Sequence, residues 1–279
     1  MKTAILIPTY GRPHRIEPLT RSIRDNTQIP YSIYFIVEEH DQATIEAVNR
    51  VGARMMINRG EPTYASCINA AYTATTEPFF LLGSDDIEFT PGCLAEAVSC
   101  MSDSRIGVVG VRDPLHPFVD HSTHPLVRRR YIEEYSGCLD MPNTVLYAYK
   151  HAWTDWEIAS VAKVRGVYYY CDRALVEHHH PGWHPGGVVR SDSELFDATY
   201  AKGNESVTED FAVFSRRARS WVNLLRKRKP LTRADRKIIG RVMAREYPIR
   251  AKIRSQIQFI RKTVLQAGAR QRKQALRAP

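Results

Sequence analysis

The 279-residue sequence predicts an α/β fold with a mostly parallel sheet flanked by helices, on three observations. Short β-rich runs alternate with stretches of helical spacing from Thr3 to Val111, the pattern of βαβ units. The run Phe79-Phe80-Leu81-Leu82 is wholly apolar, as a strand covered on both faces must be. Acidic pairs, Glu38-Glu39 and Asp85-Asp86, follow two of the predicted strands, and open parallel sheets bind ligands outside the carboxyl ends of their strands.

The elements follow in order. Thr3 to Ile7 is a strand stopped by Pro8. Pro13 to Asn26 is a helix, with Ile16, Leu19 and Ile23 on one face. Tyr31 to Val37 is a strand, Thr44 to Val51 a helix, and Arg54 to Ile57 a third strand. Thr63 to Thr75 is a helix rich in small residues. Phe79 to Leu82 is the buried strand, Pro91 to Met101 a helix with proline near its start, and Ile106 to Val111 a strand. The Pro-, His- and Arg-rich stretch from Asp113 to Tyr147 has no clear period. Within it, Arg128-Arg129-Arg130 suits either an anion-binding run or a solvated loop. Trp153 to Arg165 is a helix, Tyr168 to Cys171 a strand, and Leu175 to Glu177 a second short run of strand character. His178 to Gly187 holds four histidines, two prolines and three glycines and reads as a loop.

After Ser206 the chain reads as helical, with a start at Thr232, a break at Pro248, and one apolar face of Ile249, Ile253, Ile257, Ile260 and Val264. The expected organisation is a body of residues 1–205 and a basic helical extension, 206–279. Charge separates them: from Arg216 to Pro279 there are 21 Lys and Arg against Asp235 and Glu246, a net of +19 that leaves −9 for the rest. Such asymmetry points to a polyanionic partner, either nucleic acid or an anionic membrane surface.

Other classes are excluded or disfavoured. No run is apolar and long enough to span a membrane, and the N-terminal apolar run is too short for a signal-peptide core, so a cytoplasmic location is expected. Five cysteines without a CxxC pair give neither a disulfide framework nor a cysteine zinc site, and read as reduced core residues. No GxxxxGK[ST] or GxGxxG loop is present to cradle phosphates. A pyrophosphate ligand then needs another counter-charge, and a divalent metal, Mn²⁺ or Mg²⁺, held by carboxylates supplies it. Asp85 and Asp86 suit that task, although turn acids capping the next helix occupy the same kind of position.

Several motifs together resemble the family 2 glycosyltransferases. Ile5-Leu6-Ile7-Pro8-Thr9-Tyr10-Gly11-Arg12-Pro13 is similar to their opening strand and loop, and Ile36-Val37-Glu38-Glu39 to their nucleoside-contacting segment. Asn69-Ala70-Ala71 resembles the asparagine of the helix before the metal strand. Phe80-Leu81-Leu82-Gly83-Ser84-Asp85-Asp86, followed by Pro91-Gly92, resembles their DxD block, with Gly83 where the first aspartate is expected. Thr154-Asp155-Trp156-Glu157-Ile158 resembles the segment that carries the general base, and Val176-Glu177-His178-His179-His180 the segment whose histidine completes the metal shell. The likeness is good over roughly the first 110 residues, patchy to about residue 200 and absent afterwards.

This resemblance implies a GT-A fold, a nucleotide-sugar donor and transfer to an acceptor hydroxyl with inversion. It implies donor contacts at Pro8, Thr9, Tyr10, Arg12, Glu38, Glu39, Asn69, Ser84, Asp85 and Asp86, and metal ligands at Asp85, His178 and His180. It places the base at Asp155, with Glu157 as second candidate. The same residues also suit plainer roles: Asp155 as a helix N-terminal acid, Glu38 and Glu39 as a solvated strand end, the histidines as a His-rich surface loop. The acceptor expected from the basic tail is a hydroxylated base in DNA of a bacteriophage type, or else a membrane-associated or surface glycan. A degenerate, non-catalytic nucleic-acid-binding protein is the reading outside enzymology.

Overall fold

The computed structural model describes residues 2–114, 122–150, 152–179, 209–210 and 212–220. The tail helices expected beyond residue 220, His180 and the remainder of the His-rich loop lie outside the described residues. The chain divides into two units, Met1–Ala218 and Arg219–Pro279. Of the second unit only Arg219 and Ser220 are described.

The first unit starts as a right-to-left series of βα steps. Strand β1 (Thr3–Pro8) is followed by α1 (Pro13–Asn26), β2 (Tyr31–Glu38), α2 (Gln42–Val51), β3 (Arg54–Asn58), α3 (Tyr64–Ala74) and β4 (Phe79–Leu82). β2 and β4 flank β1 and β3 lies outside β2, all parallel. Every residue of β4 is buried, so both faces of the sheet are covered. Ile5, Ile7, Phe79 and Leu81 face one core with α1; Leu6, Phe80 and Leu82 face the other with α3. This is the period-2 alternation of a strand expressed in two apolar layers.

Beyond β4 antiparallel pairings join the sheet, which stays mostly parallel. β5 (Ile87–Phe89) and α4 (Cys93–Cys100) lead to β6 (Val108–Arg112), then β7 (Leu126–Arg128), α5 (Arg129–Tyr135), α6 (Thr154–Arg165) and β8 (Tyr168–His178). The sheet order is β3-β2-β1-β4-β7-β6-β8-β5. β7 runs antiparallel to both β4 and β6, β8 runs parallel to β6, and β5 pairs antiparallel with the end of β8. The two expected short strands at Tyr168 and Leu175 are one strand, with a register shift against β6 beyond Val111.

β5, β7 and α5 have no counterpart in the sequence reading. Strands of three residues carry too little period to be seen, and their pairing partners are distant in the chain. The arginine run sits at the β7–α5 junction, where Arg128 and Arg129 turn inward and Arg130 stays solvated. Arg128 donates to the carbonyls of Ile106 and Met101, Arg129 to those of Glu77 and Tyr72, and Arg130 pairs with Glu134 one turn on. The first two guanidinium groups therefore satisfy carbonyls of loops and helix ends that have no ladder partner.

The first unit runs to Ala218. Asp210 is buried and accepts from the amides of Lys150 and Ala152. Phe214 stacks on Trp153 at 5.3 Å. All five cysteines are free thiols, four of them buried, as expected for core residues. No helix among the described residues is long and apolar enough to cross a membrane.

Candidate active site

The site follows from strand direction. β1, β2, β4, β6 and β8 end on one edge of the sheet, which carries Thr9, Glu38, the Gly83–Asp86 turn, Asp113 and His178. β7 is antiparallel, so its beginning lies at that edge and brings His124 there. Ile87 pairs with His178 across the β5–β8 ladder, and the amide of His179 donates to the Asp86 carbonyl at 2.7 Å. Residues far apart in sequence meet because three distant strands share this edge.

The two aspartates share Arg12 and otherwise face different partners. Asp85 is 5% exposed; its Oδ2 accepts from the Thr9 hydroxyl at 2.7 Å and its Oδ1 from Arg12 Nη1 at 2.8 Å. Burial raises the Asp85 carboxyl, Arg12 opposes this, and Asp86 alongside pushes it up again; the net shift is upward. Asp86 takes the Ser84 hydroxyl on Oδ1, lies 3.5 Å from Arg12 Nη1 through Oδ2, and faces His178 Nε2 at 3.5 Å. The family resemblance implies Asp85 and a histidine as metal ligands. In the fold the aspartate opposite His178 is Asp86, because the β5–β8 pairing draws that side of the turn toward β8.

His178 is oriented from behind. Its Nδ1 lies 2.8 Å from Asp113 Oδ2, a carboxylate that also accepts from Thr123. Burial alone would lower the imidazole, but hydrogen bonds to Asp113 and Asp86 outweigh it and hold it at about 10. A histidine with a carboxylate on one nitrogen and an oxygen donor set before the other is the usual arrangement behind a metal ligand. A divalent cation between Asp86 and His178 would replace the proton there, and the mixed carboxylate–imidazole set suits Mn²⁺. These residues therefore fit the implied metal. His124 stands beside His178 with ring centroids 5.1 Å apart; burial, then His178, lowers it to about 4, so it is neutral.

Gly83 has a packing reason. A Cβ there would stand 3.2 Å from both Ile7 Cγ1 and the Leu6 carbonyl, while the Gly83 amide donates to that carbonyl at 2.8 Å and its own carbonyl accepts from Tyr64. Burial, then the charges of Asp155 and Asp86, push the Tyr64 phenol upward, so both carboxylates lie within Coulombic reach of one hydroxyl. Asp155 is half-buried in the first turn of α6. The preceding Trp153 has φ 74°, in the left-handed region that a bulky residue adopts only under constraint. Stacking on Phe214 and the hold of Asp210 on the amides of Lys150 and Ala152 supply that constraint.

On the β1–β2 side, Tyr10 is 49% exposed and meets His40 edge-on. Pro8 closes β1, Glu38 is half-buried with Oε1 accepting from Asn58, and Glu39 is exposed. Asp41 was missed. It accepts from the Gly11 amide at 2.6 Å and from the Thr44 amide at the start of α2, so it ties the loops after β1 and β2 together. Its signal was present as an Asp three residues before a threonine at a helix start. A cleft of about 320 Å³ lies between α1 and β5, with Asp85, Glu88 and His179 in its wall.

Two expected site residues are engaged elsewhere. Asn69 donates to the Leu146 carbonyl and accepts from the amides of Val145 and Leu146, fastening a loop to α3. Glu157 is 1% exposed and is held by Tyr149 and Arg217, so neither oxygen is presented to a substrate. A helical i+2 spacing from Asp155 turns Glu157 to the inner face of α6, which the short motif could not reveal.

No protein-family model matches the chain, and no curated protein matches it by sequence. Solved structures do. The mannosyltransferase PcManGT of Pyrobaculum calidifontis, in complex with GDP-Man and Mn²⁺, superposes with a TM-score of 0.56 at 16% identity, covering 86% of this chain and 68% of that one. The glucosyl-3-phosphoglycerate synthase of Mycobacterium tuberculosis, in complex with Mn²⁺, UDP and glucosyl-3-phosphoglycerate, superposes with a TM-score of 0.51 at 11% identity, covering 64% and 71%. The fold is that of GT-A glycosyltransferases.

Proposed function

We propose that this chain is a metal-dependent glycosyltransferase that moves a sugar from a nucleoside-diphosphate donor to an acceptor hydroxyl. The observation that carries the reading is the gathering of Asp85, Asp86, Asp113 and His178 at the carboxyl edge of a GT-A sheet, beside Thr9 and Glu38. The similar solved proteins bind Mn²⁺ with GDP-Man or with UDP, which supports the same ligand class here.

In this reading Asp86 and His178 hold Mn²⁺ or Mg²⁺, with His180 as a further ligand. When bound, the ion stabilises the charge of the departing nucleoside diphosphate. Asp85 keeps Thr9 and Arg12 in place, and Ser84 does the same for Asp86. Tyr10 offers the nucleobase an aromatic face, and Glu38 and Glu39 accept from ribose hydroxyls or base N–H groups. Asp155 takes the proton of the acceptor hydroxyl as that oxygen attacks the anomeric carbon, and attack opposite the leaving group inverts the configuration. Glu157 has no part in this step, since its oxygens are occupied.

The finer proposal concerns the acceptor. A tail of +19 on a body of −9 suits a polyanion, and the reading favoured is DNA carrying a hydroxylated base. Such a base must leave the stack to be reached. The membrane-associated glycan is the second reading, since a strongly basic segment also suits an anionic lipid surface. The degenerate-protein reading loses its main support, because Gly83 is accounted for by close packing on β1.

Titration calorimetry with GDP and UDP, with and without Mn²⁺, tests the site. Metal-dependent binding is expected in the wild type and lost in Asp86→Asn; unchanged metal-dependent affinity in that variant removes Asp86 from the centre. Sugar transfer to hydroxymethylated DNA, compared with a lipid-linked acceptor near physiological salt, tests the acceptor. Donor consumption on the lipid-linked acceptor alone overturns the DNA reading.

A further inference from the structure

His124 is not needed by the proposed transfer, yet it is one of the least exposed polar side chains of the site, at 4%. Its Nδ1 lies 3.3 Å from the Leu82 carbonyl. A carbonyl only accepts, so that nitrogen carries the proton and Nε2 carries the lone pair. Nε2 is buried and has no hydrogen-bond partner among the described residues. A buried acceptor left unmade is costly, and a positive ligand would satisfy it.

The surroundings provide a place for one. Asp113, His124 and His178 are three potential ligands, each offering an atom within 4.8 Å of the others. Atoms that share one metal at ordinary bond lengths of about 2.0–2.2 Å stand roughly 3–4 Å apart, so small adjustments suffice. Two imidazoles and one carboxylate form a more nitrogen-rich set than the oxygen-dominated donor edge. Such a set selects zinc-class ions over Mg²⁺ and Mn²⁺ and leaves a fourth position open.

We propose that Asp113, His124 Nε2 and His178 Nδ1 form a second, zinc-class cation site, distinct from the donor-metal position in front of Asp86. Occupation replaces the proton shared by Asp113 Oδ2 and His178 Nδ1, which is released to solvent; no bond to carbon forms and no electron is transferred. The ring of His178 then serves this ion through Nδ1 and is drawn from Asp86, so zinc opposes donor-metal binding. That second consequence rests on the proposed role of His178; the zinc site itself does not.

The experiment uses the full chain. Zn²⁺ binding is counted by calorimetry, with Co²⁺ absorption as a probe of tetrahedral nitrogen–oxygen coordination, in wild type, His124→Asn and His124→Phe. The asparagine amide can keep the donation to Leu82, so it guards against a variant that fails to fold. The expected result is loss of one Zn²⁺ equivalent and of the Co²⁺ bands in the variants, with histidines 178–180 still present in all three proteins. Unchanged Zn²⁺ stoichiometry in a folded His124 variant overturns the site. Zn²⁺ is also expected to weaken Mn²⁺-dependent binding of GDP or UDP about tenfold in wild type but not in His124→Asn. Equal weakening in both overturns the competition, while absence of Mn²⁺-dependent nucleotide binding altogether refutes the transferase reading and leaves the Zn²⁺ count standing.

Discussion

Replacing Glu157 by Gln tests whether this carboxylate serves the fold or the chemistry. Its Oε2 accepts from Tyr149 and from Arg217 Nε at 3.0 Å, and its Oε1 from Arg217 Nη2 at 2.7 Å. The amide cannot satisfy this set, because an NH₂ in either oxygen's place faces a guanidinium N–H of Arg217, which only donates. Hydrogen bonds to charged groups contribute about 1.5–3 kcal/mol each, and stranding a buried charge costs about 3–5 kcal/mol. Arg217 retains Asp140 through two bonds at 2.6 and 2.8 Å, so it is not stranded. The expected loss is therefore about 3 kcal/mol. At roughly 2–4 °C per kcal/mol for a unit of this size, the melting temperature falls by about 6–12 °C. Urea unfolding of Glu157→Gln, Arg217→Met and the double variant is the assay. The single losses should not add, since they break the same contacts. A Glu157→Gln protein within about 0.5 kcal/mol of wild type, with turnover reduced, would refute the structural role and restore Glu157 as a base.

Asp155→Asn is expected to keep donor binding while transfer drops by roughly 10² or more, the scale of a general base; turnover within a few-fold of wild type places the base elsewhere. Asn69→Ala leaves the Val145 and Leu146 amides without their acceptor and should cost about 2–3 kcal/mol in urea unfolding, with nucleotide affinity unchanged. A large affinity loss at unchanged stability would return Asn69 to the donor site. Gly83→Asp rebuilds the expected acidic motif yet places a Cβ 3.2 Å from Ile7 and Leu6, so stability should fall by about 1–3 kcal/mol without tighter Mn²⁺-dependent nucleotide binding. Tighter binding at no cost in stability would show the departure to be dispensable.

Much of the first half of the fold was legible in the sequence. α1 has the bounds its spacing predicts, Pro13–Asn26, because three apolar residues on one face and an N-terminal proline specify it locally. β1, β2 and β4 are apolar runs whose neighbours are helices, so parallel order follows from connection rules. The acidic turn after β4 was legible for the same reason, since the end of a buried strand is where polar residues become affordable.

What the sequence determined by itself was thus the βα half of the sheet, the residue types at its carboxyl edge, and the charge division of the chain. The tertiary structure decided which of those residues meet. Asp86 rather than Asp85 faces His178 because β5 pairs with β8, a contact between segments about 90 residues apart. Asp113 and His124 enter the site because β6 ends, and antiparallel β7 begins, at the same edge. Asn69 and Glu157 leave it because their hydrogen-bond partners come from distant loops and helices. Local sequence specifies period and capping, which act over a few residues. Strand order, direction and burial are set by pairing across the whole chain, and these decide which side chains meet at the carboxyl edge.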